Sequence, residues 1–275
     1  MVRPGSTHGL PYDPGNAGDI LKHGWLAAVV PWLFSQHAGV FRYADPFAGE
    51  WDYELLQPVA DRVSRLHSTL LGLYSESAWR DGRYLGSTGL VGAIAAHNRR
   101  PVEIWVGDQC RDRVVRLVTE HGCHQLVHPG DGYAVLRSGQ HYDLILLDPF
   151  ADFLDQAPQL LPAIVAHSAS SSVLLFVLAA VRTSDAYHRY EESLRRECRR
   201  HGAGAIITGI PALSPPAVAG ESGYDSEVVF IPRVGMFAGA VDEVLPQLAA
   251  AAVQTAAALG DAVEARLRML LVPRG

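Results

Sequence analysis

Four aspartates stand where this chain could do chemistry on a charged ligand: Asp45, Asp108, Asp131 and Asp148. Each follows an apolar run or precedes a helical one, in a stretch punctuated by Gly or Pro. The first lies in Phe41-Arg42-Tyr43-Ala44-Asp45-Pro46-Phe47-Ala48-Gly49-Glu50, which reads as a buried strand breaking into a tight loop. Open α/β sheets bind ligands at the carboxyl ends of their strands, and an acid there suits an amine or ribose hydroxyls. Gly49 would let the backbone approach such a ligand, because no Cβ stands in the way. Singly, each aspartate is as readily a turn residue or a helix N-cap. Lys22, His23 and Tyr12 add groups able to move a proton. Pattern alone equally allows Lys22 and His23 to form a solvated stripe on a surface helix.

The elements that would position these residues follow from periodicity. Residues 1–15 read as an arm. Asn16 reads as an N-cap, with Asp19 three positions on, opening a helix over Ala17–Val30 that Pro31 ends or kinks. An insertion over residues 51–98 carries helical spacing in Asp61–Ser75 and closes in the turn Tyr84-Leu85-Gly86-Ser87-Thr88 before a helix at Gly89–His97. Ser87 either caps that helix or meets a ligand, since a helix N-terminus also welcomes a carboxylate. Strands are expected at Val102–Val106, Leu144–Leu147, Val173–Leu178, Ala205–Ile210 and Ser226–Pro232. Helices are expected at Asp112–His121, Tyr133–Ser138, Leu154–His167 and Asp185–Arg200. An Ala-rich helix, Val241–Leu259, and a last strand, Glu264–Val272, follow. Near-continuous apolar strands belong to a parallel sheet covered on both faces. No repeat or low-complexity linker interrupts the 275 residues, so a single α/β domain is expected, with Pro211–Gly223 as a long loop placed to cover a site.

Composition narrows the partners. The formal net charge is −6, from 29 acidic and 23 basic side chains, whereas nucleic-acid binders usually carry a basic surplus. Three cysteines without CxxC spacing suit a reducing cytoplasm and argue against a disulfide framework or zinc. No signal peptide and no apolar run long enough for a membrane span is read. His121, His124 and His128 lack an acid or cysteine to complete a metal site. The basic cluster Arg195, Arg196, Arg199 and Arg200 reads as compensation of a helix dipole. The Ala-rich helix reads as core or as a homodimer contact.

Taken in order, the four acids are a signature of S-adenosylmethionine (SAM) binding in the class I methyltransferase fold. Asp45 would lie near the amino group, Asp108 would accept ribose hydroxyls, Asp131-Gly132 would lie beside the adenine, and Asp148 would face the substrate. A dinucleotide reading is weaker, because no GxGxxG follows the first strand. From about residue 10 to its end the chain resembles the RlmJ-type adenine-N6 methyltransferases of large-subunit ribosomal RNA. The resemblance rests on Gly15-Asn16-x-x-Asp19-x-x-Lys22-His23, on Asp45-Pro46-Phe47-Ala48-Gly49, on Gly86-Ser87, on Asp131-Gly132 and on Asp148-Pro149. It implies a Rossmann-like domain with a mostly parallel, seven-stranded type of sheet and a helical insertion after the first strand. It also implies SAM contacts from His23, Ser87, Asp108 and Asp131-Gly132, with Asn16, Asp45, Phe47 and Gly49 in the same cofactor motifs. Lys22 would line that pocket, and Asp148 would hold the catalytic position.

The chain departs from the family where the substrate base would bind. Adenine-N6 enzymes carry Asp/Asn-Pro-Pro-Tyr/Phe there, whereas this chain has Asp148-Pro149-Phe150-Ala151. Losing a base-stacking ring costs roughly 1–3 kcal/mol. The family's arm histidine falls on Leu10 and its loop histidine on Phe47. The expectation is therefore a SAM-dependent enzyme acting on a small molecule, by methyl transfer or by cyclising SAM's own aminocarboxypropyl arm. Candidate bases for the cyclisation are Lys22, His23, Tyr12 and Asp148. Adenine methylation in 23S ribosomal RNA, with Phe150 or Phe153 stacking, and non-catalytic SAM or RNA binding are the alternatives.

Overall fold

The computed structural model describes residues 17–54, 83–149, 153–179, 184–210, 225–250 and 266–270. Its apolar runs pair into one sheet. The strands are β1 (Phe41–Asp45), β4 (Val102–Val106), β5 (His124–Gln125), β6 (Leu144–Leu147), β7 (Ser172–Ala179), β8 (Ala205–Ile210), β9 (Asp225–Ile231) and β10 (Arg266–Leu270), in the spatial order β10-β8-β9-β7-β6-β1-β4-β5. Strands β5, β4, β1, β6 and β7 pair in parallel. Strand β9 runs antiparallel to both β7 and β8, and β10 antiparallel to β8. The sheet is thus the expected Rossmann-like, mostly parallel one, with an eighth strand added at its edge.

Register brings the loops that matter to one edge. Asp45 lies opposite Val106 across β1 and β4, so both strands end together. The backbone then crosses between them: Gly107 N–H donates to the Asp45 carbonyl at 3.0 Å, and Ala48 N–H to the Gly107 carbonyl at 3.0 Å. Alternation along each strand splits the core in two. Phe41, Tyr43, Leu144, Leu146, Leu174 and Phe176 face helices α1 (Ala17–Gln36), α2 (Ser87–His97) and α3 (Arg111–His121). Ala44, Ile145, Leu147, Leu175 and Val177 face α4 (Phe153–His167) and α5 (Asp185–His201).

Helix α1 departs from expectation by running through Pro31 to Gln36. Proline removes one helical hydrogen bond, but the residues after it are anchored in the core. Trp32 packs edge-on against Phe230 at 6.1 Å, and Phe34 against Phe41 at 4.9 Å. The helix is apolar on nearly every side because it is buried on nearly every side, and Lys22 and His23 are buried with it at 6% and 3% exposure. The solvated-stripe reading of that pair therefore falls.

The insertion opens and closes as a ribbon. Strand β2 (Asp52–Glu54) pairs antiparallel with β3 (Arg83–Leu85), and Gly86 N–H donates to the Trp51 carbonyl at 2.8 Å. The expected helix at Asp61–Ser75 lies outside the described residues, as do Tyr12, Asn16, Phe150, Ala151, the Pro211–Gly223 loop and the later half of the Ala-rich helix. Near the C-terminal end a helical run starts at Phe237, earlier than expected, and contains a π turn at Ala240–Val244. Among the described residues no helix is long and apolar enough to cross a membrane.

Candidate functional site

Beyond the carboxyl ends of β1 and β6 lies a cleft of about 340 Å³, counting the open solvent at its mouth. Among the described residues its lining draws on Asp19, Lys22 and His23 from α1; Phe47, Ala48 and Gly49 from the loop after β1; Tyr53, Tyr84, Gly86 and Ser87 from the ribbon and the start of α2; and Asp148 from the end of β6.

Lys22 is the hub of the charged wall. Its ammonium donates to Asp148 Oδ2 and, at 3.1 Å, to Asp19 Oδ1. Burial raises the Asp148 pKa above the ordinary carboxylate value, with Lys22 pulling the other way. The sequence places Asp19 in a cap and in the motif shared with Lys22 and His23, but assigns it no role in the site. Its spacing of three from Lys22 puts both on one helix face, which was the available signal.

Asp45 lies under the cleft rather than on its wall. It is fully buried, accepting from Tyr43 Oη at 3.0 Å, from Ser87 Oγ, and from Phe47 N at 3.2 Å. Burial pushes its pKa up to about 6, against the lowering pull of Ser87, Lys22 and Tyr43. Ser87 consequently does not cap α2. The N-cap is Gly86, which has no side chain to offer, and the Ser87 hydroxyl is committed to Asp45.

His23 meets a residue that sequence reasoning missed. Its Nδ1 lies 2.6 Å from Tyr84 Oη. Desolvation, helped by the neighbouring Lys22 charge and opposed by Asp19, lowers its pKa to about 3, so the imidazole is neutral near pH 7. Tyr53 is the second missed aromatic, and its Oη accepts from Glu50 N at 2.9 Å. Gly49 sits beneath that hydroxyl with φ +67°, where a Cβ would come within 2.3 Å of it.

Two of the four acids stand beside the cleft. Asp108 accepts from Gly49 N at 3.2 Å, Cys110 N at 2.6 Å and Arg113 Nη1 at 2.8 Å. Arg113 and Arg116 also hold Glu50, at 3.1 and 2.7 Å. Asp131 is half-exposed, caps the following 3-10 turn through Tyr133 N at 3.1 Å and pairs with Arg137 at 2.6 Å. Gly132 lies under the Phe47 ring, which a Cβ there would meet at 2.3 Å, and Phe47 meets Tyr133 edge-on at 5.6 Å. His121 and His124 each stack on a tryptophan, Trp51 at 4.4 Å and Trp105 at 4.8 Å.

No family model matches the chain, and no curated protein matches it. Solved structures do. The crystal structure of LPL1258 from Legionella pneumophila superposes with a TM-score of 0.65 at 14% identity, covering 93% of this chain and 98% of that one. A candidate RNA methyltransferase, PH1948 of Pyrococcus horikoshii, gives 0.41 at 15% identity over 81% and 85% of the two chains. The plantazolicin methyltransferase BpumL, solved with S-adenosylhomocysteine (SAH), gives 0.41 at 8% identity over 79% and 84%. At such identities the likeness to LPL1258 is one of fold, extending over almost the whole of both chains.

Proposed function

We propose that this protein is a SAM-dependent transferase acting on a small molecule. The observation that carries the reading is the charge of the cleft. Among the described residues, Asp19, Asp148 and the underlying Asp45 stand against one ammonium, that of Lys22. SAM brings a sulfonium and an α-ammonium against one carboxylate, and opposite charges in a partly desolvated cleft attract strongly.

The remaining groups fit the same ligand. A carboxylate offers about four acceptor sites; Asp108 uses three on protein donors, which leaves one for a ribose hydroxyl. The start of α2 offers backbone N–H groups to a carboxylate, and beside them the buried Thr88 Oγ1 has no partner among the described residues. Asp148, held by Lys22, would orient the acceptor and take its proton, while positioning in line with the methyl supplies most of the rate. Asp148→Asn is expected to lower turnover about 10²- to 10⁴-fold, the contribution of a general base, with SAM still bound.

A second chemistry is favoured by the engagement of Asp148 with Lys22, which places a proton-handling pair in the cleft that also holds His23 and Ser87. The α-amine of SAM attacks its own γ-carbon, the Cγ–S bond breaks, and its electron pair leaves on methylthioadenosine. Asp148 takes the proton released by the amine. Incubation with SAM alone, followed by mass spectrometry, separates the two. Methylthioadenosine with a small-ring amino acid would establish the cyclisation. SAH appearing only on addition of a metabolite would establish methyl transfer. SAH appearing only with ribosomal RNA would overturn the small-molecule reading.

A further inference from the structure

Helix α3 reaches the cleft through a residue that stands behind its wall. Arg113 spreads its guanidinium between two acids from two different loops. Its Nε donates to Glu50 Oε1 at 3.1 Å, and its Nη1 to Asp108 Oδ2 at 2.8 Å. The same Asp108 oxygen takes the backbone N–H of Gly49 at 3.2 Å, and Gly49 lines the cleft. One side chain therefore fixes two consecutive residues of the loop after β1, Gly49 through Asp108 and Glu50 directly. Arg116, three residues on, does half of this, because its Nη2 donates to Glu50 at 2.7 Å. The two arginines also differ in setting, the Arg113 side chain being 13% exposed and that of Arg116 47%.

A guanidinium carries its N–H groups in a rigid planar fork, so a pair of carboxylates bound to it is fixed in angle as well as distance. Burial works against the Arg113 charge, but Asp108 and Glu50 outweigh it and hold its pKa above the ordinary value. The other oxygen of Asp108 accepts from Cys110 N, two residues on, at 2.6 Å, an aspartate turn of the common kind. The carboxylate is thus held at both oxygens, and the direction of its remaining acceptor site is set. We propose that Arg113 is a positioning residue that aims Asp108 at the ribose hydroxyls of the ligand and keeps the loop after β1 at the matching distance. The proposal rests on the reading that the cleft takes SAM with Asp108 at the ribose. It deepens that reading by placing control of the ribose contact on α3, behind the wall of the cleft.

Calorimetric titration of the full chain with SAH and with its 2′,3′-dideoxy counterpart, which lacks both hydroxyls, tests this. The wild type is expected to bind SAH more tightly than the dideoxy compound. Arg113→Gln is expected to lose about 10- to 100-fold of that preference, the range spanned by a hydrogen bond to a charged group, with affinity for the dideoxy compound unchanged. Arg113→Lys keeps the charge without the fork and is expected to lose the preference as well. Arg116→Gln removes the same charge from the same helix and is expected to retain it. An Arg113 variant that weakens both compounds equally overturns the proposal, because a general loosening of the cleft then explains the loss; so does an unchanged preference. Retained binding of the dideoxy compound shows that a variant is folded, and the lysine variant preserves the experiment if the glutamine variant does not fold. A wild type that binds both compounds equally also overturns the proposal, since Asp108 then does not hold the ribose, while the SAM reading stands. A wild type that binds neither defeats the SAM reading itself, and that result is recognised before any arginine is changed.

Discussion

Asp45 and His23 are displaced in opposite directions by the same cause, and their effects on stability oppose each other. Burial lifts Asp45 from about 3.9 in an unfolded chain to about 6. Its contribution is fully present below pH 4 and is lost as pH rises through 6, a cost on the order of 3 kcal/mol at neutrality. Burial lowers His23 to about 3. Its contribution is present above about 6.5 and is lost as pH falls towards 3. Between about pH 4 and 6 the two offset each other. Asp45→Asn is expected to leave a urea midpoint that falls as pH is lowered through this window, and His23→Asn one that rises. Equal slopes in both variants and the wild type would refute the assignment.

At the scale of elements, the loop after β1 and the ribbon hold each other in place. Gly49 takes a left-handed φ directly under Tyr53 Oη. Gly49→Ala is expected to destabilise by about 1–2 kcal/mol from the backbone alone, and to displace Tyr53 as well; an unchanged melting temperature would contradict the packing. Much of this was legible in the sequence. Phe41–Asp45, Val102–Val106 and Leu144–Leu147 announce themselves as apolar runs, and Lys22, His23, Phe47, Gly49, Ser87 and Asp148 do line one cleft. The ribbon was not legible. Three-residue strands such as Asp52–Glu54 are too short to show a period of two, and without the ribbon nothing pointed to Tyr53 or Tyr84. Nor could periodicity foresee that α1 continues past Pro31, because the packing that sustains it comes from Phe230 and Phe41.

For the whole molecule, the regular alternation of strand and helix after residue 102 was sufficient to anticipate a mostly parallel sheet. The spatial position of each strand was not written there, because neighbours in a sheet need not be neighbours in the chain. Strand β9 lies between β7 and β8, and this has a consequence in time. A ribosome adds roughly 5–20 residues each second, and β8 emerges before β9, the strand that joins it to β7. For the interval in which Asp225–Ile231 is still unmade, Ala205–Ile210 is an apolar strand without its place in the sheet. Pulse proteolysis of chains ending at residue 220 and at residue 260 is expected to find β7 protected in both and β8 protected only in the longer one. Protection of β8 in the shorter chain would show that it finds another partner first; otherwise the order of synthesis and the order of assembly part company here.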